Sequence, residues 1–255
     1  MDNFYDDVIK GLTSNPKYLF SKYFYDAEGD AIFQRIMHSP DYYLTDCELE
    51  IFQTKCKEFA DLFKKFEGGI DLIELGAGDA YKSTELLKCL LAENIDFTYY
   101  PTDISENVVK LVETNLPKKL PNLKIRGVTG EFFDTLSQIT QISAKPKVVL
   151  FLGSNIGNMP PEEASVFLKN LREHLSKGDL TIIGFDLKKN PWVIFRAYND
   201  RDKITKEFNL NLLRRINKEL NADFDLDTFD HYESYDPETG ACKSYLFSLV
   251  KQQVQ

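Results

Sequence analysis

The sequence predicts an α/β fold built on an open, mostly parallel sheet. Through the middle of the chain, short apolar strands alternate with amphipathic helices, with strand candidates at 70–75, 97–101, 123–128, 147–152 and 180–185. Alternation at this spacing means β–α–β units with right-handed crossovers. The first two strands run into Gly76-Ala77-Gly78 and Asp103. These residue types suit ligand holding, and they fall at the C-terminal strand ends, where a parallel sheet binds its ligand.

The elements follow in order. Residues 1–65 read as helical. Phe20-Ser21-Lys22-Tyr23-Phe24-Tyr25 is an aromatic cluster, and Asp41-Tyr42-Tyr43 follows a Ser39-Pro40 break. The stretch 48–66 carries Ile51, Phe52, Phe59, Leu62, Phe63 and Phe66 at helical spacing until Gly68-Gly69 ends it. Among the helices between strands, the clearest starts near Pro160-Pro161-Glu162-Glu163, where proline and acids suit a helix N-terminus. Its apolar stripe is Ala164, Phe167, Leu168, Leu171 and Leu175, and Gly178 stops it. Beyond Asp186 the pattern becomes a long helix at 191–220. Strands at 231–235 and 244–250 then flank Asp236-Pro237-Glu238-Thr239-Gly240, an antiparallel hairpin. The expected organisation is a central ligand-binding core at 66–190, with 1–65 and 191–255 forming an added α+β lobe outside the parallel sheet.

Composition narrows the function. Apolar residues make up 43% and charged residues 28%, as in an ordinary globule. The net charge of -9, with a pI near 5.0, repels phosphate backbones, so nucleic acid is not expected as a partner. No apolar run approaches the ~18 residues of a membrane helix, and the N-terminus shows no basic leader followed by an apolar core. Cys47, Cys56, Cys89 and Cys242 make no CxxC pair and no zinc spacing, and read as reduced thiols of a cytoplasmic protein. His38, His174 and His231 are scattered, so no metal is expected.

Four segments carry the chemistry. Glu74-Leu75-Gly76-Ala77-Gly78-Asp79 lets a backbone pass close to a ligand; a plain strand-to-helix turn is the alternative. A dinucleotide fingerprint wants a further glycine at position 81, where Tyr81 stands, which favours a nucleoside without phosphates. Asp103 is placed to accept both ribose hydroxyl protons, or to cap the helix that follows. Gly130-Glu131-Phe132 offers an acid and an aromatic face to an adenine, although Phe132 suits the core equally. Phe151-Leu152-Gly153-Ser154-Asn155-Ile156-Gly157-Asn158 ends the fourth strand where a transferred group is expected. Its small residues leave room for substrate, and Asn158 supplies a donor and an acceptor, or an N-cap for the helix near Pro160.

On these residues the chain resembles the histidine Nα-methyltransferases of ergothioneine biosynthesis. The likeness covers nearly the whole chain: Tyr23-Phe24-Tyr25-Asp26 with Gly29 and Phe33, Ser39-Pro40-Asp41-Tyr42-Tyr43, Glu74 to Gly78 with Lys82, Phe151 to Asn158, Ala197-Tyr198-Asn199-Asp200, and Asn221-Ala222-Asp223-Phe224-Asp225. The Phe-Leu-Gly-Ser-x-Ile-Gly-Asn segment is specific to that family, whereas the glycine loop is shared by methyltransferases generally.

The resemblance implies a Rossmann-like class I methyltransferase core with S-adenosyl-L-methionine as cofactor and the α-amino group of L-histidine as acceptor. It places Gly76, Gly78, Lys82, Asp103, Glu131 and Phe132 at the cofactor, with Glu131 where the family has aspartate. It places Tyr42, Asn158, Tyr198 and the Gly153 main chain at the amino acid backbone, with Tyr42 and Asn158 as the catalytic candidates. Tyr25 and Phe33 fall near the imidazole. Ser244 stands where the family usually has a methionine lining the side-chain pocket. The family also continues past Gln255 with a segment bearing a glutamate and a serine that recognise the imidazole, and with the last two strands of its sheet. The expectation is that 180–185 forms an exposed edge inviting self-association. The rival readings are a methyltransferase for another small amino acid or amine, a cofactor-binding protein without turnover, and a nicotinamide-dependent oxidoreductase, which Tyr81 disfavours.

Overall fold

The structure, a computed structural model, describes residues 3–255. In chain order the helices and strands are α1 (Phe4–Thr13), α2 (Ala27–Met37), α3 (Tyr43–Thr54), α4 (Cys56–Phe63), β1 (Ile70–Leu75), α5 (Tyr81–Ala92), β2 (Phe97–Asp103), α6 (Glu106–Lys119), β3 (Lys124–Ile125), β4 (Val128–Thr129), α7 (Phe132–Ile142), β5 (Lys147–Phe151), α8 (Pro161–Glu173), β6 (Leu180–Ile183), α9 (Pro191–Tyr198), α10 (Ile204–Leu220), β7 (Phe229–Tyr235) and β8 (Cys242–Ser248). The chain divides into two compact units: Leu44–Asp186, and the segments up to Tyr43 and from Leu187 onward.

The first unit is the α/β core. Its strands run parallel in the order β3-β2-β1-β5-β6, with β4 also pairing to β2. β1 lies at the centre, with every residue buried. Alternation along it sends Ile70 and Leu72 to one face and Ile73 and Leu75 to the other. On the first face they pack with Tyr99, Val148 and Leu150 under Phe63, Leu86, Leu90 and Val112 of α4, α5 and α6. On the second, Val149 and Phe151 pack under Leu136, Ile139, Phe167 and Leu171 of α7 and α8. The result is a three-layer α/β/α arrangement.

The second unit holds α1, α2, α9, α10 and the β7–β8 hairpin. Tyr232 faces Tyr245 and Glu233 faces Ser244 across that hairpin. One cluster gathers Phe4, Val8, Tyr23, Leu212, Leu213 and Ile216. Another joins Ile32 and Ile36 of α2 to Ile204 and Phe208 of α10. A Cβ on Gly29 would overlap the Phe24 carbonyl oxygen, so glycine lets the aromatic turn before α2 close. Asp26 caps that helix, accepting from Gly29 N–H at 2.7 Å.

Several boundaries differ from the sequence reading, each for a local reason. The helix expected at 48–66 breaks at Lys55 into α3 and α4. Phe52, Ala60 and Phe63 bury against the sheet, so 44–65 packs with the core unit rather than with the N-terminal lobe. The strand expected at 123–128 divides into β3 and β4, because the intervening Gly127 N–H goes to Glu113 Oε1 at 2.6 Å. The helix expected at 191–220 stops at Tyr198 and restarts at Ile204, where Asp200 accepts from the N–H groups of Ile204 and Thr205, both at 2.8 Å. The reduced-thiol expectation is corrected for two residues: Cys56 and Cys89 are disulfide-bonded across α4 and α5, with Cα atoms 6.2 Å apart. Among the described residues no helix is long and apolar enough to cross a membrane, and no cluster suits a metal.

Candidate active site

The chemistry-bearing residues of the core unit gather beyond the C-terminal ends of β1, β2 and β5. The chain leaves β1 toward β2 on one side and later adds β5 on the other, so the gap between β1 and β5 is the switch point of the sheet. Gly76 and Gly78 have φ of 70° and 54°, a left-handed backbone that glycine adopts without steric cost. Gly76 and Ala77 both donate to the Thr102 carbonyl at 2.9 Å, which fastens the glycine loop to the end of β2.

Asp103 ends β2. Its Oδ2 accepts from Gly78 N–H at 3.2 Å and its Oδ1 from Ser105 N–H at 3.0 Å. Burial pushes its carboxyl above the ordinary aspartate value, and backbone donors from Ser105, Gly78 and Ile104 oppose the shift. The N-cap of α6 is Ser105, which accepts from Val108 N–H at 3.4 Å, so Asp103 precedes the cap position. Beneath the loop, Glu74 is fully buried and accepts from Ser83 Oγ and Tyr99 Oη, both at 2.5 Å. Burial pushes its carboxyl up to about 7, against the pull of those hydroxyls. Glu74 thus ties β1, β2 and the start of α5 together under the glycines.

The loop beyond β5 completes this side. Gly153 and Ser154 have φ of 72° and 54°, and Ser154 Oγ accepts from Asp186 N–H at 3.1 Å. A Cβ on Gly76 would lie 3.7 Å from both the Asn155 amide nitrogen and the Phe132 ring, and one on Gly153 would lie 3.5 Å from Lys82 Nζ. Lys82 pairs with Glu48, and Glu48 Oε1 accepts from Gly153 N–H at 2.7 Å. Gly76, Gly78, Lys82, Asp103, Phe132 and Gly153 are therefore brought together. Phe132 also packs on Phe151 at 5.5 Å, so it serves the core and the loop at once. Glu131 is exposed at the N-cap of α7 without a side-chain cap bond, and Asn158 is exposed at the end of the 3-10 turn Asn155–Asn158.

Sequence reasoning missed Glu48 and Asn155 here. Asn155 lies within the Phe151–Asn158 segment with no pattern that marks it, and Glu48 lies in an ordinary amphipathic helix.

In the second unit the remaining candidates form a continuous aromatic series. Tyr25 meets Phe33 at 5.5 Å, Phe33 meets Tyr42 at 6.4 Å, and Tyr42 meets Tyr198 edge-on at 6.0 Å. Phe208 of α10 packs on both Tyr25 and Phe33 at 5.7 Å. Arg201 grips Asp41, next to Tyr42, and holds that carboxyl below its ordinary range. Ser244 Oγ, on the hairpin, donates to the buried Glu233 at 2.5 Å.

The core arrangement fits a nucleoside carrying an amino acid group. Asp103 offers a carboxylate, Phe132 an aromatic face and Lys82 a cation, around glycines that leave the strand ends open. Comparison with known proteins identifies the family. A family model described as a histidine-specific, SAM-dependent methyltransferase matches residues 4–255. The chain is 34% identical over 249 residues to a histidine N-alpha-methyltransferase of Mycolicibacterium smegmatis, covering 98% of this chain and 76% of that protein. It is 33% identical over the same shares to one from Mycobacterium tuberculosis. It is also 31% identical to a 4-dimethylallyltryptophan N-methyltransferase of Claviceps fusiformis, over 77% of this chain and 57% of that protein. The chain belongs to the family of histidine-specific methyltransferases and is an S-adenosylmethionine-dependent methyltransferase.

Proposed function

We propose that this chain methylates the α-amino nitrogen of L-histidine. The observation that carries the reading is the convergence of Gly76, Lys82, Asp103 and Gly153 beyond β1, β2 and β5, in a chain matched to the family over nearly its whole length. S-adenosylmethionine supplies a methyl on a positively charged sulfur, which departs as a neutral thioether.

The chain's own task is positioning. Lys82 holds the carboxylate end of the cofactor and Asp103 the ribose, with Phe132 and Glu131 on the adenine side. In the core unit Asn158 and the Gly153 main chain, and in the second unit Tyr42 and Tyr198, are the residues that would hold the amino acid. Tyr25 and Phe33 flank the side chain. Holding reacting atoms ~3–3.5 Å apart and aligned supplies most of the acceleration in such a displacement. The acceptor nitrogen reacts as the free amine, its proton passing beforehand to water or to the tyrosine network.

A second reading keeps the reaction and changes the acceptor to another small amino acid. Ser244, at the position expected to be methionine, favours it: its hydroxyl is engaged by buried Glu233, which makes that stretch of the hairpin more polar. Release of S-adenosylhomocysteine across a panel of amino acids decides between them. Turnover with histidine, absent when its α-amino group is blocked, supports the first reading. Turnover confined to a different amino acid supports the second.

A further inference from the structure

Helix α3 contributes a residue that no sequence motif marks. Glu48 is half-buried, and its carboxylate is shared between two loops. It pairs with the Lys82 ammonium, and it accepts from Gly153 N–H through Oε1 at 2.7 Å and Oε2 at 3.0 Å. Lys82 lies in the first turn of α5 beyond β1, and Gly153 begins the loop beyond β5. Those two strands are parallel neighbours, so Glu48 spans the switch point of the sheet. The fit is close on its far side also, because a Cβ on Gly184, just past β6, would overlap Glu48 Oε1.

We infer that Glu48 is a positioning residue: it fixes the Lys82 ammonium and the Leu152–Gly153 peptide plane relative to each other, and so presets the cofactor-binding crevice. The inference rests on the proposed roles of Lys82 and Gly153. Lysine is a flexible four-carbon stem carrying a point charge, and an oriented one loses less freedom when a ligand carboxylate arrives. The Gly153 N–H, held by a carboxylate, makes a charge-assisted bond that fixes its peptide plane.

Calorimetry with S-adenosylhomocysteine tests this on the wild type, E48Q, E48A, G184A and the E48A/G184A double variant. E48A is expected to weaken binding about twofold to tenfold, because the Lys82 side chain is then ordered only when the ligand arrives. E48Q keeps a neutral acceptor for Gly153 N–H and loses less. G184A leaves Glu48 in the sequence but displaces its carboxylate, so it weakens binding alone and adds nothing in the E48A background. If E48A does not fold, E48Q and G184A carry the test. A lowered melting temperature with unchanged affinity in these variants overturns the inference and makes Glu48 merely structural. Wild-type protein that binds no S-adenosylhomocysteine overturns the cofactor-site reading and this inference together, whereas wild type and variants that bind equally overturn this inference alone.

Discussion

Gly78 N–H donates to Asp103 Oδ2 at 3.2 Å, joining the glycine loop beyond β1 to the end of β2. The other carboxylate oxygen is held by Ser105 N–H at 3.0 Å. The acid is thus oriented by main chain on both sides before any ligand arrives. Replacing it removes bonds to a charged group, each worth about 1.5–3 kcal/mol. D103A is expected to weaken S-adenosylmethionine binding roughly tenfold to a hundredfold, with D103N between it and wild type. Titration calorimetry measures this, and unchanged affinity in D103A removes Asp103 from the cofactor.

The edge-on pair of Tyr42 and Tyr198, 6.0 Å apart, predicts a separation of effects. Phenylalanine keeps the ring contact and deletes only the hydroxyl. Y42F and Y198F should each raise the acceptor KM about fivefold, the value of one net hydrogen bond near 1 kcal/mol, while leaving affinity for S-adenosylhomocysteine unchanged. Steady-state kinetics beside calorimetry separates the two. A loss of cofactor affinity instead would take these tyrosines out of acceptor binding.

Glu74 predicts a pH dependence of stability. Its folded carboxyl titrates at about 7 against an ordinary 4.5, so between those values the folded chain holds a proton that the unfolded chain has released. Stability therefore falls as pH rises through that window and levels above it. The gap corresponds to a loss on the order of 3 kcal/mol at about 1.4 kcal/mol per pH unit. Urea unfolding at acid and neutral pH should show this decline in wild type and a flatter profile in E74Q. Equal slopes in the two proteins would contradict the assignment.

β6 pairs with β5 alone among the described residues, so its other edge offers unpaired backbone groups. Thr181 is exposed on it, and the nearby Phe185 and Leu187 are 59% and 73% exposed. We expect concentration-dependent self-association in light scattering, reduced in T181K, because edge lysines oppose strand pairing. Wild-type protein that stays monomeric at every concentration would contradict this.

The sheet was largely legible because its central strands are near-continuous apolar runs, as burial on both faces requires. The run at 70–75 coincides with β1. The breaks were not legible, since they depend on particular side chains meeting backbone at a distance: Glu113 on Gly127, and Asp200 on the first amides of α10. The same division holds for the site. The glycine loop and Asp103 are local signals at strand ends. Glu48 sits among Asp46 and Glu50 on a helix with no distinguishing pattern. It acquires meaning only when the fold brings α3 against the loop beyond β5, 105 residues later. The Cys56–Cys89 bond was hidden similarly, by a separation of 33 residues with no framework spacing.

The central claim is methyl transfer from S-adenosylmethionine to histidine, and mass spectrometry of histidine incubated with the chain and the cofactor tests it most directly. The expected result is a mass gain of whole methyl groups on histidine, localised by fragmentation to the α-amino nitrogen and absent without the cofactor. Histidine recovered unmodified, from protein that calorimetry shows to bind S-adenosylmethionine, would contradict it.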